Sequence, residues 1–205
     1  FRLANKDIEM DFLLVPSKHS AMGQYLSKDV PHLDEVALFN KINSDLGGAT
    51  LTNLFESFQG EEDIYFKTDH HWNAEGALLA YQAYNPDTAL DMTSLKEEVL
   101  SNSFYGTDYR KVNAKKYRPD PFTIITDDKI ANLKMTKEGQ DKPVSLFDKS
   151  KIETSDMYGY YQGGNQGVTR IQGNAGNGKR ILVIKDSFAN SMVQYLTYDY
   201  DEIVM

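Results

Sequence analysis

Apolar and polar positions switch between two periods along this chain. Met10-Asp11-Phe12-Leu13-Leu14-Val15 is a short, mostly apolar run closed by Pro16, the form of a buried parallel strand. Val36, Phe39, Ile42 and Leu46 recur at three- and four-residue steps, which predicts a helix stopped by Gly47-Gly48. Ala49, Leu51, Asn53 and Phe55 alternate with Thr50, Thr52 and Leu54 and predict a second strand. A helix is expected from about Ala74 to Tyr84, with Ala77, Leu78 and Tyr81 on one side and Pro86 just past its end. Residues 91–178 have a β-rich texture. There Phe122-Thr123-Ile124-Ile125-Thr126, Asp127-Asp128 and Leu133-Lys134-Met135-Thr136 predict a hairpin or two edge strands. Tyr and Gly are dense from Tyr158 to Gly167. This stretch is expected to be an insertion without a core of its own, inside a single domain spanning 1–205. Arg180-Ile181-Leu182-Val183-Ile184 reads as the clearest buried strand, ending at Lys185-Asp186-Ser187. Phe188, Met192 and Leu196 follow at helical spacing, and Asp201 to Met205 begins another strand. Strands alternating with helices imply an α/β fold, a parallel sheet with helices on both faces.

Composition narrows the function classes. With 40% apolar and 25% charged residues over 205 positions, a packed core is within reach and wholesale disorder is not the description. No apolar run approaches the roughly 20 residues that span a bilayer. A net charge of −8 argues against a nucleic-acid partner, which calls for a basic footprint. The absence of cysteine excludes disulfides, thiolate zinc sites and cysteine nucleophiles. Phe1-Arg2-Leu3 opens without Met and the chain stops inside an expected strand, so it reads as a fragment of a longer protein.

Two places carry chemistry. Ser187 lies where a strand runs into a helix, the position at which α/β proteins bind ligands and where free backbone N–H groups can hold an oxyanion. An ordinary helix N-cap is the plainer use of such a serine. Thr68-Asp69-His70-His71-Trp72-Asn73 sets two of the four histidines beside an Asp and the single Trp, with Asn73 placed to cap the next helix. A nucleophilic serine needs a base, and the base needs a carboxylate to fix its tautomer. Asp69 and His71, one residue apart, can point the same way in extended chain. A polar loop around a buried Trp is one alternative. A metal site of Asp69, His70 and His71 is another, although adjacent side chains are expected to diverge.

Weaker signals remain. Gly163-Gly164-Asn165 offers close backbone approach and an amide donor for an oxyanion, or simply a turn. Arg170 and Lys18 are candidate substrate-binding or structural charges. Gly173-Asn174-Ala175-Gly176-Asn177-Gly178-Lys179 fits the spacing of a phosphate loop. However, Arg180 stands where Ser or Thr would hold Mg²⁺, and a strand follows instead of a helix, so a turn is expected. Nothing in the chain calls for a cofactor.

Asp69-His70-His71-Trp72 together with Asp186-Ser187-Phe188 resembles the DHHW family of bacterial proteins. That family is similar in turn to the acetyltransferase proteins of alginate modification and, more distantly, to SGNH hydrolases. The likeness extends over Leu14-Val15-Pro16-Ser17-Lys18, Tyr65 to Trp72, Ser103-Phe104-Tyr105-Gly106-Thr107, Gly163-Gly164-Asn165, Ile184 to Ser191 and Tyr200 to Ile203. The resemblance implies an SGNH-like three-layer sandwich with a parallel sheet and a permuted motif order, Asp-x-His before the serine. It implies Ser187 as nucleophile, His71 as general base and Asp69 as its orienting carboxylate. Asn165, Gly164, Asp186, His70, Trp72, Tyr105 and Arg170 become candidates for oxyanion or substrate contacts. Tyr160 and Tyr161 are further aromatics that could stack on sugar rings, though core packing is the commoner use. The implied activity is acetyl transfer or ester hydrolysis on a cell-surface polysaccharide, outside the cytoplasm, with a membrane acetyl-donor protein as candidate partner. Lys185 stands where SGNH enzymes carry Gly. This keeps open a non-catalytic carbohydrate-binding or scaffolding module. A metal-dependent phosphoesterase built on Asp69, His70, His71 and Asp186 is the third reading.

Overall fold

Short polar side chains set several of the helix starts. The structure, a computed structural model, describes residues 8–112 and 116–205. Phe1-Arg2-Leu3, which open the sequence, lie outside the described residues. The chain divides into two compact units, Phe1–Glu62 and Asp63–Met205.

In the first unit, β1 (Asp11–Leu14) pairs in parallel with β2 (Thr50–Asn53). Between them lie α1 (Lys18–Ala21), which contains the candidate Lys18, and α2 (Glu35–Asp45). Asp34 caps α2 by accepting from the Ala37 amide at 2.9 Å, and Phe39 of α2 packs on Phe55 at 5.1 Å between ring centres. Parallel pairing was expected for β1, but its residues are exposed or half-buried. The strand expected through Phe55 stops at Asn53, and Leu54–Phe58 forms α3 instead. The cause is local: Asn53 Oδ1 accepts from the Phe55 amide at 3.1 Å, turning the chain into a helix that alternation alone does not reveal.

The second unit begins with a loop into α4 (Ala74–Tyr84), found over the residues expected, with Asn73 Oδ1 accepting from the Gly76 amide at 3.0 Å. Then come β3 (Lys96–Phe104), α5 (Thr107–Val112), β4 (Asp120–Thr126), α6 (Asp128–Ala131), β5 (Lys134–Lys137) and β6 (Val144–Ser145). The unit ends with β7 (Thr169–Gln172), β8 (Arg180–Leu182), α7 (Ala189–Leu196) and β9 (Glu202–Val204). β3 and β4 form an antiparallel ribbon, and the other five strands form a sheet in the order β6-β5-β7-β9-β8. β4 and β5, expected as one hairpin or two edge strands, do not pair with each other: β4 pairs with β3, while β5 lies between β6 and β7.

The result is a mixed α/β fold, not one wholly parallel sheet. Among the described residues only β1–β2 and β8–β9 are parallel pairs, and β5, β6, β7 and β9 run antiparallel to their neighbours in that series. The run Arg180–Ile184 is not a buried strand. β8 is an edge strand of three residues, Leu182 is 68% exposed and Ile184 93% exposed. An apolar run shows strand propensity but not whether both faces are covered.

Two features of the core position the site. α4 packs on α7, with Tyr81 against Tyr195 at 5.4 Å between ring centres. An aromatic cluster of Phe66, Phe104, Phe122, Tyr158 and Tyr161 lies beneath the loop before α4, with Phe66 edge-on to Phe104 at 4.8 Å. No helix of the described residues is long and apolar enough to cross a membrane.

Candidate active site

The Thr68–Asn73 segment is held at both ends. The Phe66 amide donates to the His71 carbonyl at 3.2 Å and the Asn73 amide to the Ile64 carbonyl at 3.0 Å, so the intervening residues form a tight loop. Beneath it the buried carboxylate of Asp120 accepts from the Lys67 amide (2.9 Å), the Thr68 amide (2.7 Å) and the Thr68 hydroxyl (2.5 Å). Asp120→Ala would orphan these donors. A loss of about 2 kcal/mol in unfolding free energy is expected, measurable by urea denaturation.

Asp69 is only 2% exposed, and its two oxygens are fully engaged. Oδ1 accepts from the His71 amide (3.0 Å) and from His71 Nδ1 (2.5 Å). Oδ2 accepts from the Thr107 amide (2.7 Å) and hydroxyl (3.0 Å) at the start of α5. Burial pushes the Asp69 carboxyl up, but the hydrogen bonds from His71 and Thr107 outweigh it and hold the group well below the usual carboxylate range. Asp69 is therefore an anion, so Nδ1 of His71 carries the hydrogen and Nε2 presents a lone pair. That Nε2 lies 2.7 Å from Ser187 Oγ, a contact between residues 116 apart in sequence.

The sign of the Asp69 shift gives a pH expectation. A carboxyl that loses its proton more readily folded than unfolded stabilises the fold above the unfolded value, about pH 4. That stabilisation is lost as pH falls through the lower, folded value. Urea midpoints of the wild type and Asp69→Asn should differ most at neutral pH and converge below about pH 4.

Ser187 is not spent as a helix cap. Phe188 occupies the cap position of α7 without a side-chain cap bond, and Asp186 Oδ1 accepts the Phe188 amide at 2.9 Å. The Ser187 carbonyl accepts from the Asn190 amide at 3.2 Å and from the Tyr158 hydroxyl at 3.3 Å. Tyr158 also stacks on His71, ring centres 3.9 Å apart and planes 7° from parallel, so one side chain holds both the His71 ring and the Ser187 backbone. Burial pushes the Tyr158 hydroxyl well above its ordinary pKa, keeping it a donor.

The remaining candidates separate. Trp72 is fully buried and donates Nε1–H to the Phe188 carbonyl (3.1 Å) and Ser191 Oγ (2.8 Å); it anchors the start of α7 and is no sugar platform. Tyr160 and Tyr161, 3% and 2% exposed, are core residues for the same reason. Burial pushes the Tyr160 hydroxyl up to about 12. Tyr105 is half-buried against Tyr109. Arg170, on β7, faces Glu202 at 3.4 Å and makes no hydrogen bond to Ser187 or His71. Gly163 and Gly164 have positive φ, and Asn165 Oδ1 accepts from Lys185 Nζ and Asn190 Nδ2, each at 3.2 Å. This ties the loop to the first turn of α7 through Asn190, without a bond from Asn165 to Ser187. Burial lowers the Lys185 pKa, against the pull of Asp186.

His70 and His71 do not diverge. Their ring centres are 3.9 Å apart, and with Asp69 they offer ligand atoms within 4.8 Å of one another. Those atoms are largely committed to each other: both Asp69 oxygens, both His71 nitrogens and His70 Nδ1, which meets Thr107 Oγ1 at 2.7 Å. The set fits a hydrogen-bond network better than a cation. The glycine loop Gly173–Lys179 does wrap a carboxylate, but it is the chain's own. The Gly176 and Gly178 amides, both glycines with positive φ, donate to the side chain of Asp201.

Sequence reasoning missed Thr107, Asp120, Tyr158 and Gly106. Gly106 packs against Asp69 so closely that a Cβ there would lie 2.2 Å from Asp69 Cβ and 2.7 Å from its Cα. The one available signal was Ser103-Phe104-Tyr105-Gly106-Thr107, a segment without titratable chemistry except its tyrosine.

The fold has solved relatives. No sequence match was found among curated proteins. In structure the chain is similar to a DHHW family protein from Eubacterium siraeum, with 23% identity and TM-score 0.80 over 96% of this chain and 68% of that one. It is similar to PatB1 of Bacillus cereus, with 23% identity and TM-score 0.78 over 98% of this chain and 74% of that one. PatB1 has also been solved with a sulfonyl adduct, and that structure matches with 23% identity and TM-score 0.77 over 98% and 72% of the two chains. Residues 32–205, including the loop, the serine and everything that supports them, match the family described as DHHW protein, and the chain belongs to that family.

Proposed function

We propose that this protein is a serine-dependent acyl transferase or esterase that moves acetyl groups on a cell-surface polysaccharide outside the bacterial cytoplasm. The observation that carries the reading is the unbroken line from Asp69 through His71 to Ser187, with contacts of 2.5 and 2.7 Å. Such a line activates a hydroxyl, because the base is held in the correct tautomer before substrate arrives. PatB1 supports the reading by its sulfonyl adduct, since sulfonylation is a reaction of activated nucleophiles.

In this reading Ser187 Oγ attacks the acetyl carbonyl while His71 Nε2 takes its proton. Collapse breaks the bond to the donor's leaving group, which receives that proton from His71, and leaves acetyl-Ser187. A sugar hydroxyl or water then attacks; its proton passes to His71 and on to Ser187 Oγ as the ester bond breaks. The Ser187 N–H and the Asn165 amide, its carbonyl end already held by Lys185 and Asn190, are the candidate oxyanion donors. A membrane acetyl-donor protein remains the proposed source of the acetyl group.

The test uses p-nitrophenyl acetate as donor and follows acetyl into water and into an added glycoside. Enzyme-dependent nitrophenol release with acetylated glycoside supports transfer, and release without it supports hydrolysis. Release no faster than from heat-denatured protein overturns the proposal.

A further inference from the structure

His70 sits beside the base but takes no part in the steps above. Its ring lies 3.9 Å from that of His71 and its side chain is 44% exposed. The hydrogen bonds fix its tautomer. Thr107 has one hydroxyl hydrogen, donated to Asp69 Oδ2 at 3.0 Å. The 2.7 Å contact of His70 Nδ1 with Thr107 Oγ1 must then be a donation from the ring. The placement of Nδ1 3.6 Å from Asp69 Oδ1 favours the same proton position. Nε2 of a neutral His70 is therefore a bare acceptor, and it has no hydrogen-bond partner among the described residues. Burial and the neighbouring His71 lower the His70 pKa, with Lys111 acting in the same sense and Asp69 and Asp108 opposing, so the ring favours its neutral form.

We propose that His70 selects the acceptor: its Nε2 accepts a hydrogen bond from the hydroxyl vicinal to the one that attacks acetyl-Ser187. The two imidazoles, ring centres 3.9 Å apart, can each accept one hydrogen bond at Nε2, and the two adjacent hydroxyls of a sugar diol supply the two donors. The attacking hydroxyl gives its proton to His71, and its neighbour donates to His70 without being deprotonated. Water and simple alcohols lack the second hydroxyl and gain nothing from His70. This deepens the proposed function and rests on it.

The experiment measures, for each protein, the ratio of acetyl transfer to a methyl hexopyranoside over transfer to 1-propanol, with p-nitrophenyl acetate as donor. A ratio within one protein is insensitive to a uniform loss of active enzyme. His70→Asn keeps a donor near Nδ1 for Thr107 but removes the outer acceptor; the ratio should fall about tenfold, the effect of one hydrogen bond. His70→Gln, whose amide reaches the outer position, should recover part of it. An unchanged ratio in His70→Asn overturns the inference while leaving the role of Ser187 intact. Absence of acetyl-Ser187 in the wild type overturns both.

Discussion

Replacing Ser187 with alanine is expected to lower p-nitrophenyl acetate turnover by about 10^4-fold or more, read as kcat in steady-state assays. Ser187 Oγ is the group His71 Nε2 addresses, at 2.7 Å, and it makes no cap bond that would give it another occupation. The loss should be grossly non-additive. His71→Ala in the Ser187→Ala background is expected to cost almost nothing further, because a base without its nucleophile has no work. Asp69→Asn should lose on the order of 10^3 to 10^4-fold in the folded fraction, since an amide can turn its NH2 toward Nδ1 and favour the wrong tautomer of His71. Equal turnover in the wild type and Ser187→Ala would remove Ser187 from the chemistry.

The second large effect is structural. Gly106→Ala places a methyl group 2.2 Å from Asp69 Cβ, 2.4 Å from Oδ2 and 2.7 Å from Cα. Rotating the Asp69 side chain relieves the oxygen but not Cα or Cβ, so the two backbones must separate. Overpacking of this kind costs about 3 kcal/mol. Because Asp69 orients His71, displacement by about 1 Å should also reduce turnover about 100-fold. Urea denaturation and kcat on the folded fraction check the two parts separately. Wild-type stability and turnover in Gly106→Ala would contradict the close packing of the Asp69 loop on the residues before α5.

The sequence made the ends of this relay legible, but not its support. Asp69, His71 and Ser187 stood out because their chemistry is rare and their neighbours are distinctive. α4 stood out because a cap residue and a helical period agree over Asn73–Tyr84. Thr107 and Asp120 did not, because their roles arise from contacts spanning 38 and 52 residues that leave no local period. Tyr158 was one of several tyrosines in a Gly-rich stretch until the fold stacked it on His71. The aromatics failed in the opposite direction. Trp72, Tyr160 and Tyr161 have the shape of sugar platforms, yet the need to fill a core claimed them. The convergence of His70 on His71 is hidden in the sequence because divergence of neighbouring side chains holds for extended chain, whereas these residues lie in a tight loop. The exposure of β8 is hidden too, because apolar letters do not reveal an edge.

The central claim is that Ser187 is an activated nucleophile, and covalent labelling addresses it most directly. Protein treated with phenylmethylsulfonyl fluoride and mapped by peptide mass spectrometry is expected to carry one sulfonyl group on Ser187, and His71→Ala is expected to carry almost none. An unlabelled Ser187 in folded wild-type protein, or equal labelling in His71→Ala, would contradict it.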